Sequence, residues 1–164
     1  MDNYIVINGK KTELTDEQLE KLGIRVEKKN PFARRIDGRE YYYISARGVI
    51  EFETEDADCV DMMLYNNANY FNDKDFAKQV ALHQLLYRKL LKYACEHDAA
   101  DCDWNDDTTT KYFITGIQAE DAFRVECAWV WKSNFVYFNS TDVAEAAIKD
   151  IIRPFMEEHP EFVW

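Results

Sequence analysis

The sequence predicts an α+β fold, antiparallel strands with helices packed on one face, on three observations. Four runs rich in β-branched and aromatic residues, Tyr41 to Ser45, Val49 to Glu53, Lys111 to Ile117 and Phe123 to Trp131, have the length and composition of strands. A longer stretch from Asn72 to about Glu96 carries apolar residues at helical spacing. The octapeptide Tyr70-Phe71-Asn72-Asp73-Lys74-Asp75-Phe76-Ala77 recurs as Tyr137-Phe138-Asn139-Ser140-Thr141-Asp142-Val143-Ala144, 67 residues on, with five of eight positions identical.

The elements follow in order. Tyr4-Ile5-Val6-Ile7 reads as a strand stopped by an Asn8-Gly9 turn. Thr15 and Gln18 then form a capping box, Leu14 and Leu19 stand at the staple positions, and Gly23 supplies a left-handed stop. Ile24 to Glu27 is a candidate strand. Tyr41 to Ser45 and Val49 to Glu53 pair as a hairpin around Ala46-Arg47-Gly48, and the acidic stretch 54 to 69 is expected to be irregular. Asn72 and Asn139 are each read as the cap of the helix that follows, with Asp75 and Asp142 reaching back and Phe71 with Phe76, and Phe138 with Val143, as staples. Pro154 is expected to kink or end the last helix, since it lacks an N–H and crowds the carbonyl four residues back.

Upstream of each junction the strands also correspond, Tyr42-Tyr43-Ile44 against Tyr112-Phe113-Ile114 at an offset of 70. One domain over 1–164 is therefore expected, divided into an N-terminal strand and short helix (1–30), a first strand-strand-helix unit (31–98) and a second (99–164). Convergence on a good helix start is the alternative explanation of the shared residues.

Composition narrows the classes. With 47% hydrophobic and 15% aromatic residues in 164, and only 5 Gly and 3 Pro, the chain should fold throughout. No apolar run is long enough to cross a bilayer, and Met1-Asp2-Asn3-Tyr4 does not begin a secretory signal, so an intracellular setting is expected. Cys59, Cys95, Cys102 and Cys127 follow no metal-binding spacing and are expected to be reduced and mostly buried.

The net charge of −11 is concentrated in two windows without Lys or Arg. Residues 50 to 61 hold Glu51, Glu53, Glu55, Asp56, Asp58 and Asp61, and residues 96 to 107 hold Glu96, Asp98, Asp101, Asp103, Asp106 and Asp107. Elsewhere acids and bases nearly balance, so the acidity asks for a local explanation.

Several stretches together resemble a group of small uncharacterised phage and prophage proteins of Gram-positive bacteria. They are Ile7-Asn8-Gly9-Lys10 with Leu14 to Leu19, Asn30-Pro31-Phe32 with Gly38 to Ile44, Asn69-Tyr70-Phe71, Asp103-Trp104-Asn105, Lys111 to Ile114 and Pro154 to Pro160. The resemblance carries no assigned activity. It implies an accessory protein in the cytoplasm of a bacterial host cell, a context in which inhibitors of host defence are frequent.

Candidate chemistry is sparse. Asp101-Cys102-Asp103-Trp104-Asn105 starts like a calcium loop, but Asp106 stands where Gly is required and Tyr112 where a bidentate Glu should be, so no metal is expected. His83, His97 and His159 accompany no nucleophile motif, and phosphate-binding glycine loops are absent, so neither catalysis nor a cofactor is expected. Lys74, Lys78, Arg88, Lys89 and Lys92 read as the wet face of the long helix, and the negative charge disfavours direct nucleic-acid binding.

The leading expectation is a non-enzymatic protein that docks on a host protein, itself a nucleic-acid-binding one, by presenting both acidic segments as a DNA mimic does. Contact would run through Glu51, Glu53, Glu55, Asp56, Asp58, Asp61, Asp98, Asp101, Asp103, Asp106 and Asp107, with Trp104 and Trp164 as exposed anchors. Two alternatives are a small-ligand protein, nucleotide-binding or enzymatic, with an aromatic pocket between strand 123 to 131 and the long helix, and a virion component.

Overall fold

The computed structural model describes residues 4–7, 10–14, 16–23, 30–35, 38–117, 122–130 and 132–164. Asn8-Gly9, Thr15, the Ile24 to Glu27 candidate strand and Trp131 lie outside the described residues. The fold is α+β: the described residues form three two-stranded antiparallel pairs and a set of helices. In chain order these are β1 (Tyr4–Ile7) with β2 (Lys10–Glu13), α1 (Asp16–Lys21), β3 (Glu40–Ile44) with β4 (Ile50–Thr54), α2 (Cys59–Asn66) and α3 (Lys74–Glu96). Then come β5 (Lys111–Ile117) with β6 (Ala122–Ala128), α4 (Thr141–Ala147), a π-helical turn (Ile148–Ile152) and α5 (Arg153–Glu158). Among the described residues no helix is long and apolar enough to cross a membrane.

α3 organises the interior. Ala77, Ala81, Leu82, Leu86, Leu90, Tyr93 and Ala94 are its buried residues, at the three- and four-residue steps that place side chains on one helix face. That stripe packs on β3 and β4, on α4 and on the π-turn, while α4 packs on β5 and β6. Phe138, Ile152, Phe155, Ala144 and Ala147 complete the main core, and burying one such aromatic ring stabilises by about 1.5–3 kcal/mol. Phe76 and Leu91, apolar in sequence, sit at the exposed border of the stripe.

The two repeated junctions make the same bonds. Tyr42 and Phe71 exchange both main-chain hydrogen bonds, at 2.7 and 2.8 Å, and Tyr112 and Phe138 do the same at 2.8 Å in each direction. The first strand of each hairpin is thereby pinned to the residue that leads into the next helix. The asparagines that follow are not the helix caps the sequence suggests. Asp73 caps α3, accepting from the amide of Phe76, and Ser140 precedes α4 without a side-chain cap bond. Asn72 instead donates from its side-chain amide to the carbonyls of Asn30 and Ala33, and Asn139 to those of Asp98 and Asp101. Each asparagine clamps the loop before it. At the first junction the staple residues meet: Phe71 and Phe76 have ring centroids 6.0 Å apart, with Phe32 against both.

Three further expectations change. The acidic stretch 54 to 69 holds α2, started by a capping box in which Asp58 accepts from the amides of Val60 and Asp61 while Asp61 reaches back to the Asp58 amide. Between hairpin and junction the two halves therefore differ, since no helix stands among the described residues from 129 to 137. Pro154 does not end the last helix. The π-turn immediately before it bonds the Arg153 amide to the Ile148 carbonyl, and its wider ladder precedes the position where the proline lacks a donor. The four cysteines are free, but Cys59 and Cys95 are exposed and only Cys102 and Cys127 are partly buried.

The asparagine clamps generate a stability prediction. Asn72→Ala and Asn139→Ala should each cost about 0.5–1.5 kcal/mol, the net worth of hydrogen bonds of this kind, in urea unfolding. Ser140→Ala should fall within about 0.5 kcal/mol of the wild type, because no cap bond is lost. A Ser140→Ala loss equal to that of Asn139→Ala would return the capping role to the junction.

Candidate functional site

The first acidic segment divides into an inward and an outward half. Tyr41 and Tyr70 stack in the interior with ring centroids 4.0 Å apart, and both hydroxyls meet carboxylates. Tyr41 donates to Asp61 at 2.6 Å and Tyr70 to Glu55 at 2.8 Å. Arg34 grips Glu55 with two bonds, 2.8 and 3.2 Å, and the Asp61 carboxylate also accepts the amides of Asp56 and Asp58. Glu55 is 5% and Asp61 1% exposed, so neither can belong to a partner-facing surface.

The charge states follow from these contacts. Arg34, opposed in part by burial and aided by Tyr70, holds the Glu55 carboxyl below its ordinary value. Burial pushes Asp61 up, but the Tyr41 hydroxyl and the two amides outweigh it and leave a net lowering. Burial and then the Glu55 bond push the Tyr70 phenol up to about 12, so it remains the donor.

Outside this network Glu53, Asp56 and Asp58 are exposed, and Glu51 is held by Arg47 and the Tyr43 hydroxyl. The carboxylates of Asp56, Asp58 and Asp61 lie within 4.8 Å of one another, spacing that a cation could bridge. Their geometry is that of a helix start: one Asp58 oxygen takes two amides, and both Asp61 oxygens are engaged. Helix capping and the Tyr41 bond thus account for the clustering of these carboxylates.

In the second acidic segment Asp98, Asp101, Asp103 and Asp107 are exposed, whereas Asp106 folds back on Thr108 and Thr109. These bonds hold the Asp106 carboxyl well below the usual carboxylate range. Trp104 is not the free anchor expected. It packs on Tyr137 at 4.7 Å and lies within 5.3 Å of both the Lys111 and Lys132 ammonium groups, a cation–π arrangement. Lys111, fully buried, donates to the carbonyls of Asp106 and Trp129, which ties this loop to the β5–β6 hairpin. The helix cations are largely engaged too: Lys78 with Glu161, Lys92 with Glu96, and Lys89 over the Phe155 ring.

The feature sequence reasoning placed only approximately is a cleft of about 280 Å³. It opens between α3 (His83, Leu86, Tyr87, Leu90), Ile114 of β5, the segment Asn134 to Val136 with Phe138, and Trp164. None of the residues 123 to 130 is among those that line it. Tyr87, Phe135 and Trp164 are 45%, 41% and 40% exposed around the buried Leu86, Leu90, Ile114 and Phe138. Phe135 stacks on Phe113 at 4.8 Å, and Trp164 meets Phe123 edge to face at 4.9 Å. Trp164 reaches its place because Gly116 has no side chain: a Cβ there would lie 2.4 Å from the indole Cδ1. Gln79 fixes the approach, donating to the Glu161 carbonyl and accepting from the Val163 amide.

A second concavity, of about 510 Å³, is wide and polar, and its cations Arg35, Arg39 and Lys74 face the acids Glu40, Asp73 and Asp75. Charge balance there leaves little pull on an ionic ligand.

Two expected outcomes test this geometry. Gly116→Ala should displace the indole and change Trp164 fluorescence and the cleft's resonances, with global stability lowered by about 1–3 kcal/mol as for overpacking. Glu55 has a depressed folded value, so its contribution is present above the ordinary value of 4.5 and lost as pH falls through the lower folded one. Glu55→Gln should therefore be less stable than the wild type at neutral pH, by about 1–3 kcal/mol, and should show a shallower loss in acid, measured by unfolding across pH 2 to 7. The chain matches no protein-family model, no curated protein and no solved structure.

Proposed function

We propose that the chain is a non-enzymatic binding protein that docks on a partner protein, taking an apolar or aromatic side chain of that partner into the cleft beside α3. One observation carries the reading: three part-exposed aromatic rings, Tyr87, Phe135 and Trp164, rim an apolar floor. Aromatic residues around a concave apolar patch are the usual anchoring points of interfaces. The cleft's 280 Å³ lies just under the roughly 300–1,000 Å³ of small-molecule sites, which suits one anchor side chain.

The exposed carboxylates Glu53, Asp56, Asp58, Asp98, Asp101, Asp103 and Asp107 would steer a basic partner, raising its rate of encounter more than its final affinity. The phage or prophage setting expected from the sequence would make that partner a bacterial host protein, and a defence nuclease is the basic, nucleic-acid-binding kind these carboxylates suit. With Glu55 and Asp61 internal, the DNA-mimic form of the proposal rests on the exposed set alone.

A second reading, a small-ligand protein, draws on the same cleft, where His83 and Asn134 offer polar contacts. Among the described residues no Lys or Arg lines it, which favours a neutral aromatic ligand over a nucleotide. Titration with indole, p-cresol and AMP, followed by NMR, separates the readings. Indole and p-cresol should shift resonances of Tyr87, Phe135 and Trp164 weakly, and Tyr87→Ser should weaken them about tenfold without altering the melting temperature. Tight binding of indole or p-cresol, or of AMP, would favour the small-ligand protein, and shifts confined to other surfaces would remove the cleft from consideration.

A further inference from the structure

The bridges between Tyr112 and Phe138 determine which way the neighbouring main chain points. Since Tyr112 directs its N–H and C=O to Phe138, away from β6, its opposite residue Cys127 directs its own away from β5. The same parity holds along β6 for Val125, opposite Ile114, and for Phe123, opposite Gly116. β6 is thus an edge strand, and among the described residues nothing bonds the outward N–H and C=O groups of Phe123, Val125 and Cys127. An edge of this kind is a template for another strand.

The charges on β6 select the occupant. Arg124 is exposed and Glu126 partly exposed, their side chains 63% and 40% accessible, and they pair with each other at 2.6 Å. If a second β6 lies antiparallel, centred on Val125, then Arg124 faces Glu126 of the second copy and Glu126 faces its Arg124. Phe123 then lies opposite Cys127, and Val125 opposite Val125. All three outward-pointing residues fall at hydrogen-bonded pairs, and both charge pairs fall at the intervening sites where side chains approach closest. The strand is its own complement. β4, the corresponding edge of the other bridged hairpin, is not: Phe52 pairs across from Tyr42, so Ile50, Phe52 and Thr54 point outward by the same parity. Self-pairing centred on Phe52 would set Glu51 against Glu53 in both directions, and like charges directly opposite destabilise.

We infer that β6 is a self-association edge: two copies of the chain join the β5–β6 hairpins into a continuous four-stranded antiparallel sheet about a two-fold axis at Val125. Such an isologous contact buries little area and forms a weak, concentration-dependent dimer.

Sedimentation equilibrium over micromolar to millimolar protein tests the inference with two surface variants. Arg124→Glu places Glu against Glu and Glu126→Arg places Arg against Arg, and each alone should weaken the dimer by about tenfold or more. Mixed together, the two should form a heterodimer, since both facing pairs become complementary again. Unchanged melting temperatures would show that each variant folds. A wild type that stays monomeric at millimolar concentration, single variants that dimerise as the wild type does, or a mixture no more associated than its components would each overturn the inference.

Discussion

Two reciprocal pairs of main-chain hydrogen bonds, Tyr42 with Phe71 and Tyr112 with Phe138, are the constraint on which the rest of this structure depends. A two-stranded hairpin is marginal by itself. Here each hairpin gains a third, minimal strand of one residue, and that residue's side chain is fully buried, Phe71 at 1% and Phe138 at 0% exposure. Main chain and core are thereby fixed at the same point. Where the aromatic ring goes, the following helix must begin, and the asparagine after it fastens the preceding loop. The segment 134 to 138 that forms one wall of the cleft takes its position from the same bridge, and so does the outward direction of the β6 edge.

Charge in this protein has two unlike uses. Within the first acidic window Glu55 and Asp61 face the stacked tyrosines, where Arg34, two phenols and several amides satisfy them. A buried carboxylate that lost these partners would be costly, by about 3–5 kcal/mol. These two residues therefore hold the β3–β4 hairpin to α2 and to the Tyr70 junction. Their neighbours Asp56 and Asp58, only a few residues away, are exposed, Asp58 while also capping α2. Neighbouring acids in one sequence window thus divide between folding and surface charge.

The strands, the long helix and the repeated junction were legible in sequence because each has a period or a composition that local physics enforces. β5 and the start of β6 stand where alternation and β-branching place them. The roles within the junction were not legible. Asn72 and Asp73 are both good caps, and only the loop carbonyls of Asn30 and Ala33, some 40 residues upstream, decide that Asn72 clamps while Asp73 caps. Glu55 and Asp61 looked like surface charge because their partners Arg34, Tyr41 and Tyr70 lie 15 to 21 residues away. α2 is hidden for a related reason: in sequence Asp58 and Asp61 fit an acidic loop as well as they fit a capping box. The cleft depends on Gly116 meeting Trp164 across 48 residues, a contact that no local pattern signals.

Native-state hydrogen exchange at the amides of Tyr42, Phe71, Tyr112 and Phe138 tests the central claim most directly. If the bridges hold each hairpin to its helix, these four amides exchange only through global unfolding, at rates matching the interior of α3, since core hydrogen bonds open with the whole fold. Exchange at loop-like rates, comparable to the hairpin-turn amide of Gly48, would contradict the account.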